Sequence, residues 1–212
     1  MFLQAYSETG SVDDARALLV NGRLPQRSRV TRSLIVRIIH NRLMKWNPPV
    51  WVLDDLAAAS QQTDATAFRA LLLVHYARQE TLVYDAVQHI IGVGWERGDL
   101  HIRRDDVQRF LDTMLPTHPE IAGWSYETRV KLAGNLLTTL RDYGLLIGNA
   151  VKRVVEPTID ERAVGHLWRL LEEEGVPEQR IAAHPDWRIW LLSPARVEQL
   201  KPKHVPSESM HS

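Results

Sequence analysis

Apolar residues recur every three to four positions along most of the chain, the spacing of helices that bury one face. The clearest run spans 30–45. There Leu34, Ile35, Ile38 and Ile39 share one side of the wheel, and Arg29, Ser33, Arg37 and His40 share the other. A second run spans 126–143. Tyr126, Val130, Ala133, Leu137 and Leu140 form its expected buried side, and Lys131, Asn135, Thr138, Thr139 and Asp142 its expected exposed side. Ser125 is suited to cap the start of this helix and Gly144 its end. Shorter helices are expected over 13–20, stopped by Asn21–Gly22, and over 50–59, opened by Pro48–Pro49. Others are expected from Asp64 or Thr66 to Tyr76, over 80–96 and 105–114, from Thr158 or Asp160 to Glu174, and over 194–200. Three stretches look extended: a very short strand at 101–103, the segment 145–157 with the basic run Val151–Lys152–Arg153–Val154–Val155, and an apolar segment at 188–192 that resembles a buried strand.

The pattern changes character at the turn Gly98–Asp99–Leu100. The expected fold class is therefore mainly α, with an amino-terminal helical domain over 1–98 and a carboxy-terminal domain over 99–200. Residues 201–212 are polar, carry two prolines and are expected to be a disordered tail. In the second half the order is helix, turn, long helix ending in Tyr143–Gly144–Leu145–Leu146, then a basic extended stretch. That is the order of a winged helix-turn-helix with a small β element. In such a motif the second helix enters the major groove and the hairpin touches backbone.

Composition narrows the chemistry. The 212 residues contain no cysteine, which removes disulfides, thiolate metal sites and cysteine nucleophiles. No apolar run approaches the ~20 residues of a membrane span, so a cytoplasmic protein with no membrane partner is expected. Lys plus Arg equals Asp plus Glu at 26 each, yet the charges are unevenly placed. From Arg16 to Leu53 there are eight basic residues and no acidic one, and Arg outnumbers Lys 21 to 5 over the chain. A guanidinium binds phosphate through a planar fork. A GC-rich genome would raise the arginine count as well.

The motifs of known chemistries are missing. There is no Walker loop, and Gly92–Val93–Gly94 lacks the third glycine and the strand of a dinucleotide site. The nine histidines include no His-x-x-x-His pair, there is no Glu-x-Lys triplet, and no Gly-x-Ser-x-Gly elbow occurs. Glu172, Glu173 and Glu174 are consecutive on a helix, so their side chains diverge. Asn47–Pro48–Pro49–Val50 resembles the Asn-Pro-Pro-aromatic motif of adenine methyltransferases, but its aromatic position is Val50 and no cofactor loop accompanies it. A helix break is the simpler reading. No catalytic residue, metal, cofactor or small-molecule substrate is expected.

Several segments form a familiar ordered set. They are Gly22–Arg23–Leu24–Pro25–Gln26–Arg27–Ser28–Arg29–Val30–Thr31–Arg32, Arg97–Gly98–Asp99–Leu100, Asp105–Asp106–Val107 and His118–Pro119–Glu120–Ile121–Ala122–Gly123–Trp124. Next come Ser125–Tyr126–Glu127–Thr128–Arg129–Val130–Lys131–Leu132, Leu140–Arg141–Asp142–Tyr143–Gly144–Leu145–Leu146 and Trp187–Arg188–Ile189–Trp190–Leu191–Leu192. Together they resemble the BrxA family of BREX phage-exclusion systems, over nearly the whole chain before the tail. The resemblance implies a non-enzymatic component of a multi-protein antiviral defence system. It also implies an amino-terminal part similar to the RNA-binding helical bundle of the antitermination factor NusB, and binding of double-stranded DNA. Arg27, Arg29, Arg32 and Arg37 correspond to the family's basic amino-terminal stretch. Trp124, Thr128, Arg129 and Lys131 correspond to its tryptophan-to-helix segment.

Three roles are carried forward. The first is backbone binding of duplex DNA with little sequence preference. Arg27, Arg29, Arg32 and Arg37 would position the backbone, Lys131, Asn135, Thr138 and Arg141 would lie in or near a groove, and Lys152 and Arg153 would form a wing contact. About six phosphate contacts would give a slope near −5 in log K against log salt. The second role is an adaptor that binds other BREX subunits, favoured by the zero net charge and by Trp46, Trp51 and Trp190 as anchors. The third is NusB-like RNA binding. A single straight duplex can be gripped by both basic regions only if they share a face.

Overall fold

The computed structural model describes residues 1–116 and 118–201, with the side chain of Glu120 excepted. The molecule is mainly α with one small sheet. Its helices are α1 (Phe2–Thr9), α2 (Val12–Leu18), α3 (Arg29–Leu43), α4 (Val50–Ser60), α5 (Thr66–Gln79), α6 (Thr81–Ala86), α7 (Gly92–Arg97), α8 (Arg104–Thr113), α9 (Pro119–Ala122), α10 (Tyr126–Asp142), α11 (Glu161–Glu173), α12 (Glu178–Ile181) and α13 (Pro194–Leu200). Wider π-type turns continue α2 through Leu19–Arg23 and join α6 to α7 through Val87–Ile91.

The starts of the helices follow local chemistry. Ser11, Ser28, Ser125 and Ser193 each accept a backbone N–H from the first turn of α2, α3, α10 and α13. Asp160 accepts from the Ala163 amide at 2.9 Å to start α11. Each such cap satisfies a donor that the helix itself leaves open. Asp64 does the same for the Thr66 amide at 2.9 Å, just ahead of α5.

The sheet is formed by β1 (His101–Ile102), β2 (Leu146–Ile147) and β3 (Lys152–Val154). β3 lies in the middle and pairs antiparallel with both neighbours, so that Arg153 stands opposite His101 on one side and Ile147 on the other. Along β3 the side chains alternate: Lys152 and Val154 point inward and Arg153 outward. α8 packs on α10, and α10 leads through the Gly144 turn into β2.

The residues expected to form one carboxy-terminal domain, 99–200, divide their contacts. Residues 101–154 pack largely among themselves, whereas α11 and the turn at 185–190 pack on α5 and on Val87–Ile91. Trp190 donates its indole N–H to the Ala70 carbonyl at 3.1 Å, and Arg78 pairs with Glu174 at 2.6 Å and Asp186 at 3.1 Å. Tyr84 bonds Asp186 at 2.9 Å, and Gln88 bonds the Pro185 carbonyl at 2.9 Å. A buried chain of side chains adds to this seam: His75 Nε2 lies 2.8 Å from His166 Nε2, and His166 Nδ1 lies 2.7 Å from Asp55.

Three expectations are corrected. The apolar segment at 188–192 is not a strand: residues Pro185–Trp190 form a 3-10 helix, followed by Leu191 in the left-handed region at φ 60°. Three residues per turn place Trp187 and Trp190 on one side, where their rings meet at 5.8 Å in the core. Trp190 is consequently fully buried and is no anchor for a partner. Tyr126 is 66% exposed, outside the buried face assigned to it; it is the first residue of α10, where the buried residues are Ala133, Leu136, Leu137 and Leu140. Of the tail, residues 202–212 lie outside the described residues.

Candidate nucleic-acid interface

The exposed face of α10 carries Lys131, Asn135 and Thr138, spaced three to four residues apart and so aligned along the helix. The opposite face, with Ala133, Leu136, Leu137 and Leu140, is buried. Gly134 lies within the exposed stretch, and the guanidinium of Arg104 crosses it. A Cβ added at Gly134 would sit 3.8 Å from Arg104 Nε. Arg104 thereby joins Lys131 and Thr138, the residues one turn to either side of Gly134. The sequence reading missed Arg104, because the first residue of α8 has no sequence relation to α10. The one available signal was a glycine inside a strong helix, which often marks a close approach.

The hairpin of β2 and β3 stands beside this helix end. Gly148 opens its turn at φ +94°, and a Cβ there would lie 2.6 Å from the Val151 carbonyl oxygen, so only glycine fits. Lys152, expected to touch DNA, is 6% exposed, and its ammonium donates to the Asn149 carbonyl at 2.7 Å. It closes the turn from inside. Arg153 is the residue of the pair that faces outward, in a cross-strand row with His101 and Ile147. Arg141 is half-buried at the end of α10 and pairs with Asp142 at 3.1 Å.

The amino-terminal basic residues separate in the same way. Arg32 is an internal clasp: its guanidinium donates to the carbonyls of Val20 at 2.7 Å, Gln26 at 2.7 Å and Arg27 at 2.9 Å, tying the 19–28 connection to α3. Arg23 pairs with Glu8, and Arg16 with Asp13. Arg42 lies over the Tyr76 ring. Arg27, Arg29 and Arg37 are exposed, and their side chains have no ion pair or hydrogen bond among the described residues. Arg29 and Arg37 bracket Ser33 along a shallow groove between α2 and α3.

α3 itself is weakly covered. Val36 is its one buried residue, and Val30, Leu34 and Ile38 are 79%, 45% and 42% exposed. Leu34 and Ile38 were expected on the packed side. The helix is rotated so that Val36 faces the core with Ile39 and Leu43 beside it, which leaves the Val30–Leu34–Ile38 row outside. The two basic regions approach each other where α3 and α10 end. Arg42 lies near the Tyr76 ring, and Tyr76 and Tyr143 meet at 5.6 Å between ring centroids. Arg29 stands 13 residues before Arg42 on the same helix, about 20 Å away along the axis.

Among the described residues no cluster of three or more His, Asp or Glu could hold a metal ion, and no helix is long and apolar enough to cross a membrane. The family model BrxA matches residues 5–170, well over half of the chain. The chain belongs to the BrxA family. A BrxA chain is tied to BREX phage defence, and BrxA is not a known enzyme family. No curated protein matches the sequence.

Proposed function

We propose that this BrxA-family chain is a duplex-DNA-binding component of a BREX system, with 101–154 acting as a winged helix-turn-helix. In this reading α10 enters the major groove and the β2–β3 hairpin lies on the flanking backbone. One observation carries it: Lys131, Asn135 and Thr138 on one exposed stripe, joined by Arg104 across Gly134 and flanked by outward-facing Arg153, with the carboxylates Glu127 and Asp142 one turn beyond its two ends. Asn can bond adenine bidentately and Lys can bond guanine or phosphate. Two such groups give only modest base readout, so affinity rests on phosphate contacts and falls with salt. Arg32 and Lys152 act from within, shaping the surfaces that Arg29, Arg37 and Arg153 present.

The test is fluorescence anisotropy of a labelled random-sequence duplex over a salt series. The triple variant Arg104→Ala, Lys131→Ala, Arg153→Ala is expected to bind weakly, with a log–log salt slope shallower by about 3. Binding unchanged in affinity and slope would refute the interface.

A second, compatible role is favoured by the exposed row Val30, Leu34, Ile38, with Arg29 and Arg37 beside it. An apolar helical stripe edged with arginines suits a helix of another BREX subunit that bears acidic residues beside its own apolar face. Leu34→Asp should abolish co-purification with that subunit while DNA binding is retained. Loss of neither would exclude the role.

A further inference from the structure

A cavity of about 320 Å³ lies where α1, α3, α5 and the end of α10 meet, apart from the DNA-facing stripe. Its body is apolar, walled by Ile39, Leu43, Phe68 and Leu72. Its polar lining comes from Gln4, Arg42, Ser60, Tyr76 and Tyr143; the Ser60 hydroxyl donates to the Ala57 carbonyl at 2.7 Å. Arg42 lines it with a guanidinium that lies 4.8 Å from the Tyr76 ring centroid and has no ion pair among the described residues. Tyr76 is 8% exposed and its hydroxyl has no hydrogen-bond partner there; the Tyr143 hydroxyl has none either. Burial pushes both phenols up from their ordinary pKa, so each remains a protonated donor at neutral pH. The first turn of α1 also lines the cavity, and its open amides have no side-chain cap. No carboxylate lines the cavity; Glu80 and Asp142 act on the tyrosines only from outside it.

Neither phenol oxygen is fully enclosed, so both hydroxyls can reach a ligand in the cavity. Guanidinium, two hydroxyls and open helix amides together lack the same thing, an anion that accepts hydrogen bonds. We propose that this cavity binds a small carboxylate with an apolar body, the carboxylate at Arg42, Tyr76 and Tyr143 and the body along Ile39, Leu43, Phe68 and Leu72. At roughly 30 Å³ per non-hydrogen atom in the liquid, the volume suits a ligand of about ten such atoms. A medium-chain acyl carboxylate has that size. The proposal does not rest on the DNA-binding reading, because none of Arg104, Lys131, Asn135, Thr138 and Arg153 lines the cavity.

The experiment is calorimetric titration of the full chain with octanoate, with 1-octanol as the uncharged analogue. Octanoate is expected to bind at least tenfold more tightly than octanol and to raise the melting temperature. Arg42→Gln changes an exposed side chain and should leave the fold intact while weakening octanoate at least tenfold. Tyr76→Phe should weaken it without affecting octanol, and Leu72→Trp, which fills the apolar body, should block both. Absence of octanoate binding at millimolar concentration would overturn the proposal. So would equal binding of octanoate and octanol, or unchanged binding by Arg42→Gln.

Discussion

Arg32 and Arg37 are alike in the sequence, five residues apart on one basic helix, and opposite in the structure. Arg32 donates to three backbone carbonyls and Arg37 to nothing among the described residues. Arg32→Ala should therefore cost roughly 1.5–3 kcal/mol, since three carbonyls lose a charged donor. Arg37→Ala should stay within about 0.5 kcal/mol. Urea denaturation of the two variants checks this contrast. His75 gives a second residue-scale prediction. Burial, then the neighbouring His166 and Arg78, hold its pKa well below the usual 6.5. The unfolded chain thus binds a proton that the folded chain refuses. This contribution to stability is complete above pH 6.5 and is lost as pH falls below it, by up to about 1.4 kcal/mol per pH unit. His75→Gln should be less stable at pH 8 yet show a flatter decline toward pH 5. Parallel pH curves for the two proteins would show that His75 is not the titrating group.

At the scale of elements, caps and turns were readable because they are local. Ser125 and Asp160 cap as their positions suggest, and Gly144 ends α10 in the left-handed region. Faces were less readable. Periodicity gives the width of an apolar stripe but not which neighbour covers it, and so Leu34 and Ile38 are half exposed and Tyr126 lies outside. β2 lies inside the stretch 145–157 that reads as extended, but two residues have no period of their own, and only pairing with β3 sets where the strand begins and ends. Gly134 offers a test of the α10 surface. A Cβ would meet Arg104 at ordinary van der Waals distance, and Ala is favoured over Gly in a helix by about 0.5–1 kcal/mol. Gly134→Ala should raise the melting temperature by about 1–4 °C. A lowered melting temperature would mean that Arg104 packs more tightly there than the distance implies.

At the scale of the molecule, the helices of the first half depend on the last forty described residues. Trp190, His166, Glu174 and Asp186 all bond residues of α5 or α6. A fragment of residues 1–98 would expose the surfaces that they cover, leave Arg78 without its carboxylates and remove the His166 hydrogen bond of His75. It should lack a cooperative thermal transition by circular dichroism, whereas a fragment with native stability would show the two halves to be independent domains.

The sequence by itself determined the helical class, most helix boundaries, the order that ends in a basic hairpin, and the family, since caps, turn residues and hydrophobic period act within a few residues of themselves. Only the tertiary structure decided which arginines are free and which clasp carbonyls. It also decided that Arg104 joins α10 and that Arg42, Tyr76 and Tyr143 share one cavity. Those outcomes depend on groups brought together from distant parts of the chain, and no local pattern encodes such distances.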